Sequence, residues 1–302
     1  MMEEIDSELR RENVRIDRRQ IAGFTKVGTR LRAKLTFAPL AEPAIAGKYE
    51  GDSLSAHILG WFKRRYGDRL NMDFSVGRVA VVIRNDPWRL QIPRVFGTVT
   101  FVCDQRLAVY RGRPSFAPSG HIAVFNILNS IEDLPDGLAG ALRHDELDAI
   151  ASFFISAGQA VYSLEEIVDQ PFVTEATDDL RSAVDHLLSK PSANCGFSKW
   201  SSAQFIEKLL KAFLENRSST FRRTHNLSEL ADLVEQRGLA LDRTALLAIQ
   251  CAPAVRYNSR SIAMADAVAA HHHSLALCHT IARGISGKPP QVQWTVERRS
   301  GS

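Results

Sequence analysis

The stretch 201–214, Ser-Ser-Ala-Gln-Phe-Ile-Glu-Lys-Leu-Leu-Lys-Ala-Phe-Leu, constrains the fold more than any other part of this chain. Phe205, Leu209 and Phe213 recur at i, i+4 and i+8, the spacing of one helical face. Ser201 is placed to cap this helix, with Gln204 three residues on as the reciprocal member of a capping box. Glu207 and Lys211 stand one turn apart, as a favourable surface pair does. After a short gap, Asn226 is the expected cap of a further helix, with Glu229 in the capping-box position and Gly238 at its end. Amphipathic helices in close succession bury their apolar stripes against one another, so this part of the chain is read as a bundle.

The same pattern extends through the C-terminal half. Helices are expected over 145–168, with Pro171 as the break, and over 174–189, with Pro191 closing it. Two more are expected from Asp242 to about 255 and over 261–283, ending at Gly284. The tail from 285 is rich in Gly, Pro and Ser and is read as flexible. Upstream the pattern changes. Residues 30–37 alternate polar and apolar side chains, and 78–84, 97–103 and 107–110 are short β-branched or aromatic runs, so strands are expected there. Residues 53–66 interrupt them with one amphipathic helix that places Leu54, Ile58 and Trp61 on a shared face. The expected organisation is a charged arm (1–20), read as a helix or as a disordered segment, a small basic mixed domain (21–135), an all-α up-and-down bundle (142–284) and the tail (285–302). The fold class is α+β.

Charge and cysteine content narrow the function classes. Residues 1–113 hold 21 Lys and Arg against 13 Asp and Glu, while the remainder is acidic and the whole chain carries +4. A basic N-terminal half suits phosphate or an acidic partner; arginine-rich coding with charges spread over a solvated surface is the plainer explanation. The four cysteines, Cys103, Cys195, Cys251 and Cys278, are far apart and form no CxxC pair, which argues against a zinc ribbon or a disulfide scaffold. No apolar run approaches the ~20 residues that cross a membrane. Residues 1–20 lack the apolar core of a signal peptide, so a cytoplasmic location is expected.

The helical half resembles the HEPN superfamily (higher eukaryotes and prokaryotes nucleotide-binding) over about residues 174–284. The residues that carry the resemblance are Ala203 with Glu207-Lys208-Leu-Leu-Lys211-Ala212 on one helix and the Thr224-His225-Asn226-Leu227 turn leading to Leu230. Arg256-Tyr257 and the alanine-rich last helix complete it. The resemblance implies a four-to-five-helix bundle, a homodimer, and RNA or nucleotide as ligand. In active members it implies a metal-independent endoribonuclease with an Arg-x4–6-His motif, working without a cofactor. Histidine suits proton transfer at a ribose 2′-hydroxyl, and arginine suits the charge that develops on the phosphate. In this chain the motif is absent from its usual place: after Arg256 and Arg260 the next histidines are His271, His272 and His273. Arg181 and His186 make the one Arg-x4-His, on the first helix of the bundle.

Three further groups merit attention. Arg222 and Arg223 precede His225 at a helix N-terminus and, with Arg217, can grip a phosphate there; the alternative is that Thr224 and His225 simply organise the turn. The run His271-His272-His273 points three ways on a helix and offers no i, i+4 ligand pair, so no metal is expected. Trp61 with Lys63, Arg64, Arg65 and Tyr66 can stack and clamp a single strand, or can be a buried tryptophan beside solvated bases. Catalytic candidates are therefore Arg181, His186 and His225, and phosphate-binding candidates are Arg217, Arg222, Arg223, Arg256, Arg64 and Arg65. The leading expectation is an RNA- or nucleotide-binding protein of stress or phage-defence type, with endoribonuclease activity open. The alternatives are a non-catalytic module that dimerises and recruits a protein partner, and an enzyme whose site lies in the N-terminal half.

Overall fold

The computed structural model describes residues 1–33, 35, 44–70, 73, 75–95, 98–107, 123–189, 193–218, 224–256, 262–288 and 296–297. The fold is α+β, and the chain divides into two compact units, Met1–Phe74 and Ser75–Ser302. The division falls well before the 135–142 boundary read from the sequence.

The first unit is helical. It contains α1 (Met2–Arg11), α2 (Ile16–Leu31) and α3 (Gly51–Tyr66). Ile5 and Leu9 of α1, Phe24 and Val27 of α2, and Leu54, Ile58 and Phe62 of α3 form its core together with Leu70. Gly23 lets α2 close on α3, because a Cβ there would fall inside the Phe62 ring. The charged arm expected over 1–20 is thus two helical segments of a packed unit. The strand expected over 30–37 is also corrected: Arg30 and Leu31 end α2, and Arg32 is its left-handed C-cap. Arg30 is held in helical register by Glu4 and Glu8 of α1, with Arg30 Nη1 at 3.3 Å from Glu4. The expected 53–66 helix forms, with Phe62 rather than Trp61 as its fully buried aromatic.

The second unit begins with a hairpin of β1 (Ser75–Ile83) and β2 (Asp86–Pro93). Arg84 and Asn85 between them both have positive φ, as a two-residue turn of the primed type requires. The sequence reading missed β2, whose Pro87 and Pro93 argue against a strand but are tolerated at its ends. A second sheet is parallel, in the order β4–β3–β5, from β3 (Val99–Val102), β4 (Ala123–Asn126) and β5 (Val296–Glu297). Part of the expected flexible tail is therefore the edge of a sheet. Residues 105–107 form a 3-10 turn instead of the expected strand, and 108–110 lie outside the described residues.

The helices follow: α4 (Asp136–Gly140), α5 (His144–Glu165), α6 (Val173–Leu187), α7 (Cys195–Asn216), α8 (Leu227–Gln236), α9 (Arg243–Ile249) and α10 (Met264–Ser286). α7 begins six residues before the expected cap. Asn194 accepts from Phe197 N, while Ser201 is buried inside the helix. α9 stops at Ile249, well short of 255. α10 runs through Gly284, where Leu239 and Phe213 press close to the bare Cα, and ends at the left-handed Gly287. Strands and helices share one core, in which Val79, Leu90 and Phe101 join Phe154, Phe205 and Leu209. That shared core explains why the strands join the bundle rather than a separate N-terminal domain. Among the described helices α5 alone is long and apolar enough to cross a membrane by length and composition; its Ile150, Phe154, Ala157, Val161 and Leu164 are core residues.

Among the described residues β1 is paired by a strand, β2, on one side only, and its other edge needs partners for its backbone. α10 supplies them. His271 Nε2 accepts from Ala80 N at 3.0 Å, and His272 Nε2 donates to Ala80 O at 3.0 Å. His271 must be neutral for this, with its proton on Nδ1, and His272 must carry a proton on Nε2. Burial drives the His271 pKa down to about 3, with His272 adding to it, and burial likewise lowers that of His272. The histidine run that invited a metal reading is an edge clamp.

An unfolded chain takes up a proton at these histidines near the ordinary value of 6.5, whereas folded His271 resists down to about 3. Between those limits the unfolded state binds more protons, so stability is full above about 6.5 and falls as the pH falls through the window. Urea midpoints measured across that range should drop on acidification. His271→Leu orphans the Ala80 N–H, should cost about 1–3 kcal/mol, and should flatten the acid limb.

Candidate functional site

α7 runs through the middle of the bundle and is apolar nearly all round. Phe205, Ile206, Leu209, Leu210, Ala212, Phe213 and Leu214 are all buried. A charge on such a helix has no route to water and must find its partners inside. Glu207 is that charge, at 4% exposure. Lys211 Nζ, one turn on, donates to its Oε1 at 2.7 Å, and Gln204 Nε2, one turn back, to its Oε2 at 3.1 Å. His225 Nδ1, from the turn before α8, donates to Oε1 at 2.9 Å. The surface pair expected of Glu207 and Lys211 forms, but it is a buried one.

The His225 turn is fixed from both sides. Thr224 Oγ1 donates to Glu229 Oε2 at 2.9 Å and accepts from Asn226 N at 3.1 Å. Asn226 Oδ1 caps α8 by accepting from Ser228 N and Glu229 N. The turn is organised by Thr224 and Asn226, which leaves the His225 ring to engage Glu207. Its side chain is 82% exposed, with the Nδ1 side held by the carboxylate and Nε2 left toward solvent. The next residue of α7, Lys208, turns to α6 and pairs with Asp179, whose carboxyl is pushed above its usual range by burial against the pull of that lysine. This arrangement, a carboxylate that orients an exposed imidazole with lysines close by, can move a proton at a bound phosphodiester.

The other sequence candidates do not gather here. Arg181 is exposed and pairs with Asp178 at 2.8 Å. His186 packs its ring on Phe197, 5.1 Å between centroids. Five residues apart on α6, the two point about 140° from one another. Phe197 and Glu207 are separated by about 15 Å along α7, so His186 does not join the Glu207 cluster. Arg217 donates to Gly284 O at 3.2 Å and lies over the Phe213 ring. Arg222, Arg223, Tyr257 and the side chain of Arg256 lie outside the described residues. Arg64 and Arg65 belong to the first unit, on α3.

Among the described residues no group of three or more His, Cys, Asp or Glu is placed to hold a metal. Burial pushes the Cys103 thiol up to about 12 and raises those of Cys195, Cys251 and Cys278, so none is a ready nucleophile near neutral pH. Sequence reasoning missed Glu207 as a site residue. The signal was available: a helix apolar on every face makes any carboxylate within it a buried one.

No family model, no curated protein and no solved structure matches this chain.

Lys211→Met leaves Glu207 buried without its ammonium partner and should destabilise the second unit by roughly 3 kcal/mol. Adding Glu207→Gln should recover most of that loss. Urea unfolding of the two single variants and the double variant measures the coupling; additive losses would show that the pair is not energetically linked.

Proposed function

We propose that this chain is an RNA- or nucleotide-directed protein in which Glu207 and His225 form the acid–base pair of a metal-independent endoribonuclease. The observation that carries the reading is an exposed imidazole whose Nδ1 is held by a buried carboxylate. Glu207 fixes the tautomer that leaves Nε2 bare, as a general base at a ribose 2′-hydroxyl requires. His225 takes the 2′-hydroxyl proton, the 2′-oxygen attacks the adjacent phosphorus, the P–O5′ bond breaks with the 5′-oxygen taking a proton from solvent, and a 2′,3′-cyclic phosphate remains. Lys211 and Lys208 are each paired with a carboxylate, Glu207 and Asp179, so the positive charge of this reading comes from Arg222 and Arg223, three and two residues before His225 in the sequence. In this reading they hold the phosphate. The order of α6 to α10 supports the HEPN resemblance, and the homodimer and the cytoplasmic stress or phage-defence setting belong to the same proposal. Arg181 and His186 have no part in the chemistry, because their side chains diverge.

The competing reading is a non-catalytic module that dimerises and recruits a protein partner. It is favoured by the engagement of Arg217 with Gly284 and Phe213 instead of a free anion site.

One experiment separates the two. Purified protein is incubated with end-labelled total RNA in EDTA and resolved on denaturing gels beside His225→Ala and Glu207→Gln. Cleavage leaving cyclic phosphate ends is expected, reduced about 10²–10⁴-fold in His225→Ala. Full cleavage by His225→Ala would overturn the assignment, and an inert wild-type protein would favour the interaction module.

A further inference from the structure

The first unit gathers arginines around a single phenol. Tyr66 Oη donates to Asp6 and accepts from Arg10 Nη2 at 3.3 Å and Arg19 Nη1 at 3.0 Å. Asp6, 1% exposed, is also paired with Arg10 at 2.8 Å and Arg65 at 3.2 Å. Arg65 reaches Glu3 as well, at 3.4 Å, and its guanidinium lies 5.4 Å from the centroid of the half-buried Trp61 ring. Arg10 and Arg65 thus share the buried Asp6, Arg65 also takes Glu3, and Arg19 is held by the phenol and by Val14 O, which leaves these three guanidiniums one positive charge in excess of the two carboxylates.

The same contacts bring two segments distant in sequence to one place. The end of α1 carries Arg11, beside Glu3, Glu4 and Glu8, the start of α2 carries Arg15 and Arg18, and the last turn of α3 carries Lys63 and Arg64, all five cations exposed. Arg15 pairs with Asp17 at 2.8 Å. Among the described residues no ion pair engages Arg11, Arg18 or Arg64. Helix stability does not account for the cations on α2. Arg15, Arg18 and Arg19 sit at its N-terminal end, where the macrodipole disfavours positive charge by about 0.3–1 kcal/mol each. Arg11 ends α1 and Lys63 and Arg64 lie in the last turn of α3, where the dipole favours them, so Arg15 and Arg18 are the exposed cations that stand against it; a gathering of exposed cations of this kind fits a polyanionic partner.

We propose that this end of the N-terminal unit binds the backbone of single-stranded RNA. Arg11, Arg18 and Arg64 contact phosphates, and Trp61 with Arg65 offers a base a surface to stack on. Arginine's planar fork matches phosphate oxygens in pairs. The stacking surface favours RNA over an anionic lipid layer, which has charge but no bases. The choice of RNA as the polyanion rests on the function proposed above; the charge cluster itself does not.

The test uses the full chain and a fluorescent oligouridylate of about 20 nucleotides, titrated by anisotropy at several salt concentrations. In Arg11→Glu/Arg18→Glu/Arg64→Glu, affinity should fall about tenfold or more, and the slope of log K against log salt should flatten by about 2. The milder Arg11→Ser/Arg18→Ser/Arg64→Ser should move the same way, with circular dichroism melting unchanged in both. Wild-type affinity and slope in both triple variants would overturn the proposal, as would tighter binding to phosphatidylserine vesicles than to RNA. Unimpaired cleavage by the triple variants would sink this surface and leave the endoribonuclease standing. Loss of binding in the triple variants, with no cleavage by the wild type, would sustain this surface and sink the endoribonuclease.

Discussion

A carboxylate inside an apolar helix is the constraint on which the candidate site depends. Glu207 is buried on α7, the helix that α6, α8 and α10 pack around. Leaving that charge unpaired would cost several kcal/mol, so its surroundings are dictated by it. Lys211 and Gln204 come from its own helix at one-turn spacing. The third partner has to come from elsewhere, and the 224–226 turn delivers His225. Because Asn226 and Thr224 lock that turn to the start of α8, the imidazole gains a fixed orientation while most of its surface remains in water. A demand for charge compensation in the core thereby produces an oriented imidazole at the surface.

A second unmet demand explains the architecture of the same unit. A two-stranded hairpin has an unpaired edge on each strand, and an edge inside a protein must be satisfied by something other than water. At Ala80 it is satisfied by His271 and His272 of α10, which act as acceptor and donor respectively. The histidines tie β1 to the last helix of the bundle across 191 residues of sequence. Together with the core that Val79, Leu90 and Phe101 share with the helices, this makes strands and bundle one body.

Much of this was legible in the sequence, and the failures have physical causes. The long C-terminal helices, the Asn226 and Asp242 caps and the β1 and β3 runs follow from periodicity and capping chemistry. The start of α7 was misplaced because Ser201 and Gln204 resemble a capping box, and only tertiary burial shows them to be interior residues. The Arg30–Phe37 alternation resembles a strand in isolation; ion pairs to α1 keep its first two residues helical. The unit boundary was misread because local pattern shows what each segment forms but not which core it enters. At the site, His225 was visible as a candidate and Glu207 was not. The spacing of Glu207 to Lys211 is the same for a solvated pair and a buried one, and the arrival of His225 from 18 residues away is a long-range contact.

The central claim is that Glu207 holds His225 in the tautomer with a bare Nε2, and the nitrogen resonances of the histidine rings report this directly. Two-dimensional spectra of protein labelled with 15N-histidine, recorded above the pH of imidazole protonation, would identify which ring nitrogen of His225 carries the proton. The account expects the proton on Nδ1 in the wild type and a shift of the population to Nε2–H in Glu207→Ala. A wild-type His225 already protonated at Nε2, or one indifferent to the loss of Glu207, would contradict it.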